Sequence, residues 1–406
     1  MRVLLSAYAC EPNRGSEPEV GRQRALHMQT HADEVWVLTR ANNQSVIEAE
    51  SLSYTRGLHF IYYDLPKWAR RLKKQAWFLP VYYVLWQWGA YRTAARHHRD
   101  KPFDSVYHVT FVSIQTGSFM GKLGIPFVVG PIAGGERAPW RLRRSMPIHG
   151  KASELLRDLR IVLQRYSPLT RLALSAADRI YVATPDSLRL VSPKWHFKTE
   201  VQLGVAICSE KARQTKLWPS ASPRFIFAGR LVTNKGVHFA IQALSEARKT
   251  VPAATLTLIG SGPDERWLRA VAKRFGVEDA VEFAGQLPRQ QLIDSLHGYT
   301  ALVFPSLHDS GGMIVLEALS EGLPVVCLDL GGPGFMVNAS CGIVVPTTDA
   351  DEAQVVREIA NAMISMGSMT VTELEDLSRG AIARASELSW AALTARIAQD
   401  GDRSLD

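Results

Sequence analysis

A buried strand, a glycine turn and a helix follow one another in the stretch Ala301-Leu302-Val303-Phe304-Pro305-Ser306-Leu307-His308-Asp309-Ser310-Gly311-Gly312-Met313-Ile314-Val315-Leu316-Glu317. The apolar run 301–304 is typical of a strand in a parallel sheet, and the apolar run after the glycines predicts a helix with one acid, Glu317. Backbone N–H groups at a helix start suit a bound phosphate or sugar hydroxyl, and glycine lets a ligand approach closely. The stretch therefore predicts a ligand-binding turn; a plain glycine-rich turn with a solvated glutamate is the alternative.

The same alternation of short apolar strands and amphipathic segments runs through both halves of the chain. The predicted strands are 3–7, 34–39, 59–63, 105–109, 127–130 and 179–183 in the first half, and 224–228, 255–259, 281–284, 301–304, 325–328 and 342–344 in the second. This pattern predicts an α/β fold of β-α-β units with parallel sheets. Two sets of similar size predict two Rossmann-like domains, joined near Leu203-Gly204-Val205. Ligands of such sheets bind beyond the carboxyl ends of the strands.

The charge of the chain is unevenly divided between its halves. The 406 residues are 46% hydrophobic, enough for two domains with separate cores. Residues 1–200 contain 29 Lys and Arg against 16 Asp and Glu, a balance of +13, and the remainder has 18 against 23, so the sum is +8. The basic half predicts an anionic partner: a lipid headgroup surface, a diphosphate-linked acceptor or nucleic acid.

Cysteine usage and hydropathy predict a cytoplasmic protein that does not span a membrane. The four cysteines, Cys10, Cys208, Cys327 and Cys341, are widely spaced, which indicates neither a disulfide framework nor a zinc site. The first predicted strand begins beside the initiator Met, which leaves no room for a cleavable signal, and no run approaches 18 apolar residues.

Residues 66–99 combine bases and aromatic residues without any acid. The bases are Lys67, Arg70, Arg71, Lys73, Lys74, Arg92, Arg96 and Arg99, and the aromatic residues are Trp68, Trp77, Phe78, Tyr82, Tyr83, Trp86, Trp88 and Tyr91. This combination predicts contact with the inner face of an anionic membrane. A second basic loop holds Arg137, Trp140, Arg141, Arg143 and Arg144. The alternative is a pair of helices whose aromatic residues lie in the core; a nucleic-acid surface is disfavoured, because no RNA- or DNA-binding module accompanies the bases.

The segment from Asp309 to Glu317 resembles the Glu-x7-Glu region of retaining glycosyltransferases of family 4, with Asp309 where the family usually has its leading Glu. Further landmarks of that family have counterparts in Phe227-Ala228-Gly229-Arg230-Leu231-Val232-Thr233-Asn234-Lys235-Gly236, Leu258-Ile259-Gly260-Ser261-Gly262-Pro263 and Val281-Glu282-Phe283-Ala284-Gly285-Gln286-Leu287. Similar N-terminal motifs are Gly15-Ser16-Glu17-Pro18, His108-Val109-Thr110-Phe111 and Gly130-Pro131-Ile132-Ala133-Gly134-Gly135-Glu136. The resemblance is strong from about Arg224 to Val345 and looser before that.

This resemblance implies the GT-B fold, in which two Rossmann-like domains face each other across a cleft and a C-terminal helix crosses back to the first domain. The expected domains are an acceptor domain at 1–203 with the basic-aromatic insert, a nucleotide-sugar donor domain at 204–385, and a crossover helix and tail at 386–406. Helical apolar spacing from Leu388 to Ile397 is consistent with that helix.

The resemblance also assigns donor-side roles to individual residues. Arg230 and Lys235 match the pair that binds the diphosphate. Arg can donate two parallel hydrogen bonds to a phosphate, and Lys acts as a point charge. Glu317 is expected to hold the ribose and Asp309 the hydroxyls of the transferred hexose. The backbone of the turn, Ser310, Gly311, Gly312, Met313 and Ile314, is expected to hold phosphate and sugar, and the backbone around Leu287 the base. His308 is interpreted as a structural loop histidine; the alternative is that it shares the role of Asp309 towards the hexose.

On the acceptor side, the resemblance places His108 in the cleft, where it contacts the donor sugar or orients an acceptor hydroxyl in its neutral form. Gly15, Glu17 and Glu136 are further candidates for acceptor binding; the two glutamates can also be simple helix-start acids. Family members are commonly described by front-face attack, in which the departing phosphate oxygen takes the acceptor proton and no protein nucleophile is needed.

The sequence thus predicts a retaining hexosyltransferase that moves a hexose from a nucleotide-diphosphate sugar to a glycan or lipid-linked acceptor in surface polysaccharide or glycolipid synthesis. Fixed cations are expected to take the place of a metal, so no cofactor is predicted. Two alternatives remain: a sugar-nucleotide epimerase or hydrolase of the same fold, and a membrane-associated sugar-nucleotide-binding protein without activity, which Asp309 motivates.

Overall fold

The computed structural model describes residues 1–12, 17–50, 57–73, 75, 78–110, 117–208 and 222–402. The described residues form two compact units. The first combines 1–135, 159–205 and the C-terminal part from Trp390, and the second combines 136–158 with 206–389.

The first unit is built on a parallel sheet of seven strands in the order β3-β2-β1-β4-β5-β6-β7. The strands are β1 (Arg2–Ser6), β2 (Glu34–Arg40), β3 (Leu58–Tyr63), β4 (Ser105–His108), β5 (Phe127–Ile132), β6 (Arg179–Val182) and β7 (Thr199–Val201). In the centre Leu4 pairs with Trp36 on one side and with Val106 on the other. Helices cover both faces, which is why the central strands are apolar at nearly every position. The edge strand β7 was not predicted.

The helices of the first unit are α1 (Glu17–Met28), α2 (Gln44–Glu50), α3 (Lys67–Leu72), α4 (Leu79–Asp100), α5 (Ile148–Arg165) and α6 (Pro168–Ala176), with α5 starting in the segment of the second unit. The basic-aromatic stretch 66–99 forms α3 and α4. Tyr82, Tyr83 and Trp86 lie in the hydrophobic core, so for these three the alternative interpretation is right, whereas Trp68 and Trp88 are exposed. Lys74 and Trp77 lie outside the described residues.

The second unit has a parallel sheet of six strands in the order β10-β9-β8-β11-β12-β13. The strands are β8 (Arg224–Ala228), β9 (Thr255–Ile259), β10 (Val281–Gly285), β11 (Ala301–Phe304), β12 (Val325–Leu328) and β13 (Gly342–Val345). The helices are α7 (Val237–Ala247), α8 (Glu265–Arg274), α9 (Arg289–Ser295), α10 (Met313–Ser320), α11 (Gly331–Met336), α12 (Glu352–Gly367) and α13 (Val371–Glu387). Strands β8 and β11 are neighbours, so the loops that follow them share one edge of the sheet.

The segment 136–158 belongs to the second unit, although the sequence analysis places it inside the N-terminal domain. Two contacts at its start are specific: Arg141 donates to the carbonyl of Asp349 at 2.6 Å, and the Ser145 N–H donates to the Glu352 carboxylate at 2.9 Å. Such long-range polar pairings have no local sequence signature, which explains the difference in the boundary.

The C-terminal helix α14 (Trp390–Asp402) packs in the first unit against α1. Arg24 of α1, which is fully buried, donates to the Thr394 hydroxyl at 3.2 Å and lies over the ring of Trp390. The predicted return of the terminal helix to the first domain is therefore present. Within the described parts of the chain, none of the helices is long and apolar enough to cross a membrane.

Candidate active site

The glycine turn after β11 is organised by the side chain of Asp309. Its Oδ1 accepts from the N–H groups of Gly311, at 3.2 Å, and Gly312, at 3.1 Å. Gly312 has φ of 53°, in the left-handed region that glycine adopts without strain, and is followed at once by α10. The carbonyl of Asp309 accepts from the N–H of Gly332 at 2.7 Å. Side chain and backbone of Asp309 together fix the start of α10, whose first N–H groups have no partner within the helix.

Lys235 lies beside this turn and forms an ion pair with Asp309. Its Nζ is also 5.3 Å from the centroid of the buried Phe304 ring, so the ammonium is held on two sides. Burial alone would raise the pKa of Asp309, but the charge and hydrogen bond of Lys235 and the N–H groups of the turn outweigh it, and the pKa lies below its ordinary value. Asp309 is therefore an ionised acceptor of hydrogen bonds at neutral pH. The structure brings together the predicted diphosphate-binding lysine and the predicted hexose-binding acid.

Arg230 follows β8 and has an exposed side chain. Strand β8 lies next to β11, so Arg230 and the glycine turn follow neighbouring strands at the same edge of the sheet. No hydrogen bond or ion pair of this guanidinium is present in the described residues, and its five donors can turn towards a ligand.

Glu317 lies on α10 and is buried, with its carboxylate held by Arg289. Arg289 begins α9, and its Nε and Nη2 lie 2.9 Å and 2.8 Å from the same oxygen of Glu317. Leu287, the predicted contact of the base, is half-buried two residues before Arg289. Arg289 thus contacts the predicted ribose-binding residue and follows the predicted base contact by two residues, and it was not among the residues predicted from the sequence.

His308 is buried and connects the turn to the segment 136–158. Its Nε2 lies 2.7 Å from Oε1 of Glu154 on α5, and its Nδ1 lies 3.4 Å from Nδ2 of Asn234. A carboxylate accepts only, so the Nε2–H of His308 donates to Glu154. The interpretation of His308 as a structural loop histidine agrees with these contacts.

A second histidine–carboxylate pair fixes the same segment to the loop of Lys235. Nε2 of His149 lies 2.7 Å from Oδ1 of the buried Asp264, whose Oδ2 accepts from the Thr233 hydroxyl at 2.6 Å. A Cβ on Gly150 would lie 2.9 Å from the methyl group of Thr233, so a larger residue at 150 would require Thr233 to shift. The start of α5 therefore supports both loops of the candidate donor site.

In the first unit His108 is the last residue of β4 and is buried. Its Nδ1 lies 3.3 Å from Oγ of Ser6. Burial lowers the pKa of His108 to about 4, so the ring is neutral near pH 7, as the sequence analysis predicts.

The other acceptor-side candidates are in different places. Glu17 is the first residue of α1 and is exposed. Glu136 is buried in the second unit, where its carbonyl accepts from Nε of Arg157 at 2.8 Å and its carboxylate faces the same guanidinium. Gly15 lies outside the described residues. The structure therefore does not unite Glu17 and Glu136 in one unit.

Four further residues build or support this site and were not among the residues predicted from the sequence: Arg289, Glu154, His149 and Asp264. Arg289 carries a weak signal, because it follows a predicted strand and the predicted base contact. Glu154 and His149 carry none, because they belong to a helix start far from the donor loops in the sequence.

Part of the chain is similar in sequence to a protein family and to curated relatives. Residues 209–365 match the model of the family described as "Glycosyl transferases group 1". The chain is 37% identical over 134 residues to a glycogen synthase of Mycobacterium tuberculosis, a match covering 31% of this chain and 32% of that protein. It is 30% identical over 222 residues to a D-inositol 3-phosphate glycosyltransferase of Acidothermus cellulolyticus, covering 52% of this chain and 47% of that protein. The chain thus spans less than half the length of these relatives.

Solved structures are similar over the whole chain. The lipopolysaccharide outer core galactosyltransferase WaaB superposes with a TM-score of 0.64 at 14% identity, covering 100% of both chains. HepE of Anabaena in complex with UDP superposes with a TM-score of 0.59 at 16% identity, covering 99% of this chain and 100% of that one. Together with the two parallel sheets, these likenesses define the class: the chain has the GT-B fold, and the predicted fold is confirmed.

Proposed function

We propose that this protein is a retaining glycosyltransferase that moves a hexose from a nucleotide-diphosphate sugar to a glycan or lipid-linked acceptor in surface polysaccharide or glycolipid synthesis. The observation that carries the proposal is the pairing of Lys235 with Asp309 at the turn that starts α10. It lies within the region that matches the glycosyl transferases group 1 model. The UDP bound to HepE makes a uridine nucleotide the first donor to test.

The donor loops provide fixed positive potential for the departing diphosphate. Arg230, Lys235 and the N-terminal end of α10 are the sources of that potential. Lys235 forms an ion pair with Asp309. A bound diphosphate draws Lys235 towards itself and leaves the Asp309 carboxylate to accept hydrogen bonds from hexose hydroxyls.

The chemistry needs no nucleophile from the protein. The bond between the anomeric carbon and the diphosphate oxygen breaks, and its electron pair stays with the diphosphate. The acceptor oxygen bonds to the same face of the anomeric carbon and gives its proton to the departing phosphate oxygen. His108, neutral and at a strand end, is suited to orient a hydroxyl rather than to carry a proton.

We propose further that transfer needs no divalent metal, because these cations supply the charge. Activity that persists in EDTA supports this part of the proposal. Activity that is lost in EDTA and restored by Mg²⁺ or Mn²⁺ contradicts it, without affecting the assignment as a transferase.

The proposed location is the inner face of the cell membrane. Within α3 and α4 the side chains of Trp68, Val81, Leu85 and Trp88 remain exposed. The nearby groove of about 420 Å³ is lined by Trp68, Leu85 and Trp88 together with Arg92 and Arg96. Exposed aromatic residues beside bases are typical of the headgroup layer.

The decisive experiment is a thermal-shift screen of nucleotide sugars, followed by incubation of the best donor with and without acceptors. A ligand at about 100 times its dissociation constant stabilises by roughly 2.7 kcal/mol. Glycosylated product with the anomeric configuration of the donor supports the proposal. Epimerised or hydrolysed sugar without acceptor favours the epimerase alternative, and binding without turnover across an acceptor panel favours the non-catalytic one.

A further inference from the structure

Helix α5 has its apolar stripe on the outside of the molecule. A surface helix normally turns that stripe towards the core. Here the apolar side chains recur every three or four residues and are between 46% and 88% exposed: Ile148, Leu155, Leu156, Leu159, Val162, Leu163 and Tyr166. The opposite side of the helix, with Glu154 and Ile161, is buried. With 18 residues, the helix presents an apolar face about 27 Å long.

Exposed apolar patches of this kind mark interaction sites. The charges around the stripe identify the partner. Lys151, Arg160 and Arg165 have exposed side chains on the flanks of the stripe. Both acids of the helix are paired within the protein: Glu154 with His308, and Asp158 with Arg143 at 2.7 Å.

A second copy of the chain would bring the same bases together, so the flanking charge disfavours a symmetric dimer through this face. An anionic surface satisfies both features, because apolar side chains enter the acyl boundary while bases contact the headgroups. Tyr166 and Arg171 continue the pattern into α6, with the guanidinium 5.8 Å from the ring centroid. Aromatic rings beside bases are frequent at the interface of a bilayer.

Helices α4, α5 and α6 also cover the same face of the first sheet. Trp86 of α4, Ile161 of α5 and Leu174 of α6 contribute to one core cluster. From Leu159 onwards, the exposed face of α5 therefore belongs to the same helical layer of the first unit as the exposed Trp88 of α4.

We infer that the exposed face of α5 docks the protein on an anionic lipid bilayer as an in-plane amphipathic helix. This inference rests on the proposed membrane location and names a second element that makes the contact. It does not depend on glycosyl transfer, because the test contains neither donor nor acceptor.

The test is co-sedimentation of the full chain with vesicles of phosphatidylglycerol and phosphatidylcholine, compared with phosphatidylcholine alone. The triple variant Leu155→Ser, Leu159→Ser, Leu163→Ser is expected to lose roughly tenfold or more of the partitioning to anionic vesicles, because binding scales with the buried apolar area. Its thermal midpoint is expected to stay near that of the wild type, because these side chains are exposed. The matched control is Val46→Ser, Val371→Ser, Ile382→Ser, three exposed apolar residues on other helices, and it should bind as the wild type does.

A second variant separates charge from apolar contact. Replacing Lys151, Arg160 and Arg165 by Gln is expected to weaken binding to anionic vesicles at low salt and to change neutral vesicles little. Three results overturn the inference. The first is that wild-type protein does not sediment with anionic vesicles. The second is that the leucine variant binds these vesicles fully while the double variant Trp68→Ser, Trp88→Ser does not bind them. The third is a wild-type dimer in light scattering that the leucine variant converts to monomer with vesicle binding unchanged.

Discussion

Oε1 of Glu154 lies 2.7 Å from Nε2 of His308, and both side chains are buried. The other carboxylate oxygen, Oε2, is buried without a hydrogen-bond partner among the described residues. His308 directly precedes Asp309, the residue proposed to contact the hexose. The contact with Glu154 of α5 therefore helps to position Asp309.

This pairing predicts a contrast between two substitutions of Glu154. Glu154→Gln keeps the shape and an oxygen that accepts from His308, so stability and KM for the donor should stay near those of the wild type. Glu154→Ala leaves the buried imidazole N–H without an acceptor, which should lower the free energy of unfolding by about 1–3 kcal/mol. We expect a lower thermal midpoint and a raised KM for the donor. Steady-state kinetics beside thermal denaturation check this, and equal KM values for wild type and Glu154→Ala would exclude a positioning role.

The pair of Lys235 and Asp309 predicts opposite effects on nucleotide binding. Lys235→Ala should weaken binding of the plain nucleoside diphosphate by about 1.5–3 kcal/mol, because a charge-assisted contact is lost. Asp309→Asn releases Lys235 from its carboxylate, so affinity for the nucleoside diphosphate should be kept or increased while transfer falls.

Calorimetry with the nucleoside diphosphate and kinetics with its sugar separate the two effects. Arg230→Ala serves as a companion to Lys235→Ala, because it removes the other proposed diphosphate contact from an exposed position. Unchanged affinity in both lysine and arginine variants contradicts their roles, and full transfer activity of Asp309→Asn contradicts the sugar contact.

The ion pair of Glu317 with Arg289 predicts that Glu317→Gln weakens nucleotide binding while Arg289→Ala has a smaller effect. Arg289 is largely exposed, and an exposed partner contributes little to an ion pair. Glu317 itself is buried and offers its second oxygen to a ribose. Isothermal titration of both variants with the nucleoside diphosphate and with the nucleoside measures the two losses of affinity. A larger loss of affinity for Arg289→Ala than for Glu317→Gln would show that the arginine, not the acid, makes the main contact.

The sequence predicts the central strands well because these are buried on both sides and apolar at nearly every position, as in β11. Strand β7 was missed because Thr199, Glu200 and Val201 are only half-buried at the sheet edge. For α4 the composition does not show which aromatic residues are buried. Trp86 and Trp88 are the same residue type, and only their positions around the helix place Trp86 in the core and Trp88 on the surface.

The candidate donor site was predictable to the extent that its residues follow strands. Asp309 and Lys235 lie in loops after strands and Glu317 lies within the helix that follows, all in recognisable local patterns. The supports of that site were not predictable, because Glu154 and His308 are 154 positions apart and each has an ordinary neighbourhood. The outward stripe of α5 was missed for a related reason: the apolar spacing indicates an amphipathic helix, but only packing shows which side of it is buried.

The stability of the protein is expected to depend on pH through His238. This residue is fully buried on α7, with Phe239 and Trp267 rings at centroid distances of 4.0 Å and 5.1 Å, and neither ring nitrogen has a hydrogen-bond partner in the described residues. Burial lowers the pKa of His238 to about 3, against a weaker opposing effect of Asp264. Between pH 6.5 and 3 the unfolded chain therefore binds a proton that the folded chain does not, so stability falls as the pH falls through this window.

At pH 5 this histidine alone should lower the free energy of unfolding by on the order of 2 kcal/mol relative to pH 7.5, since each unit below pH 6.5 counts about 1.4 kcal/mol. His238→Phe removes the titrating group and suits the aromatic surroundings. The thermal midpoint of this variant should therefore fall less between pH 7.5 and pH 5 than that of the wild type. His59→Phe is the matched control, because His59 is exposed and its ring stacks on Trp36. An identical midpoint shift for His238→Phe and wild type would show that His238 does not cause the acid sensitivity.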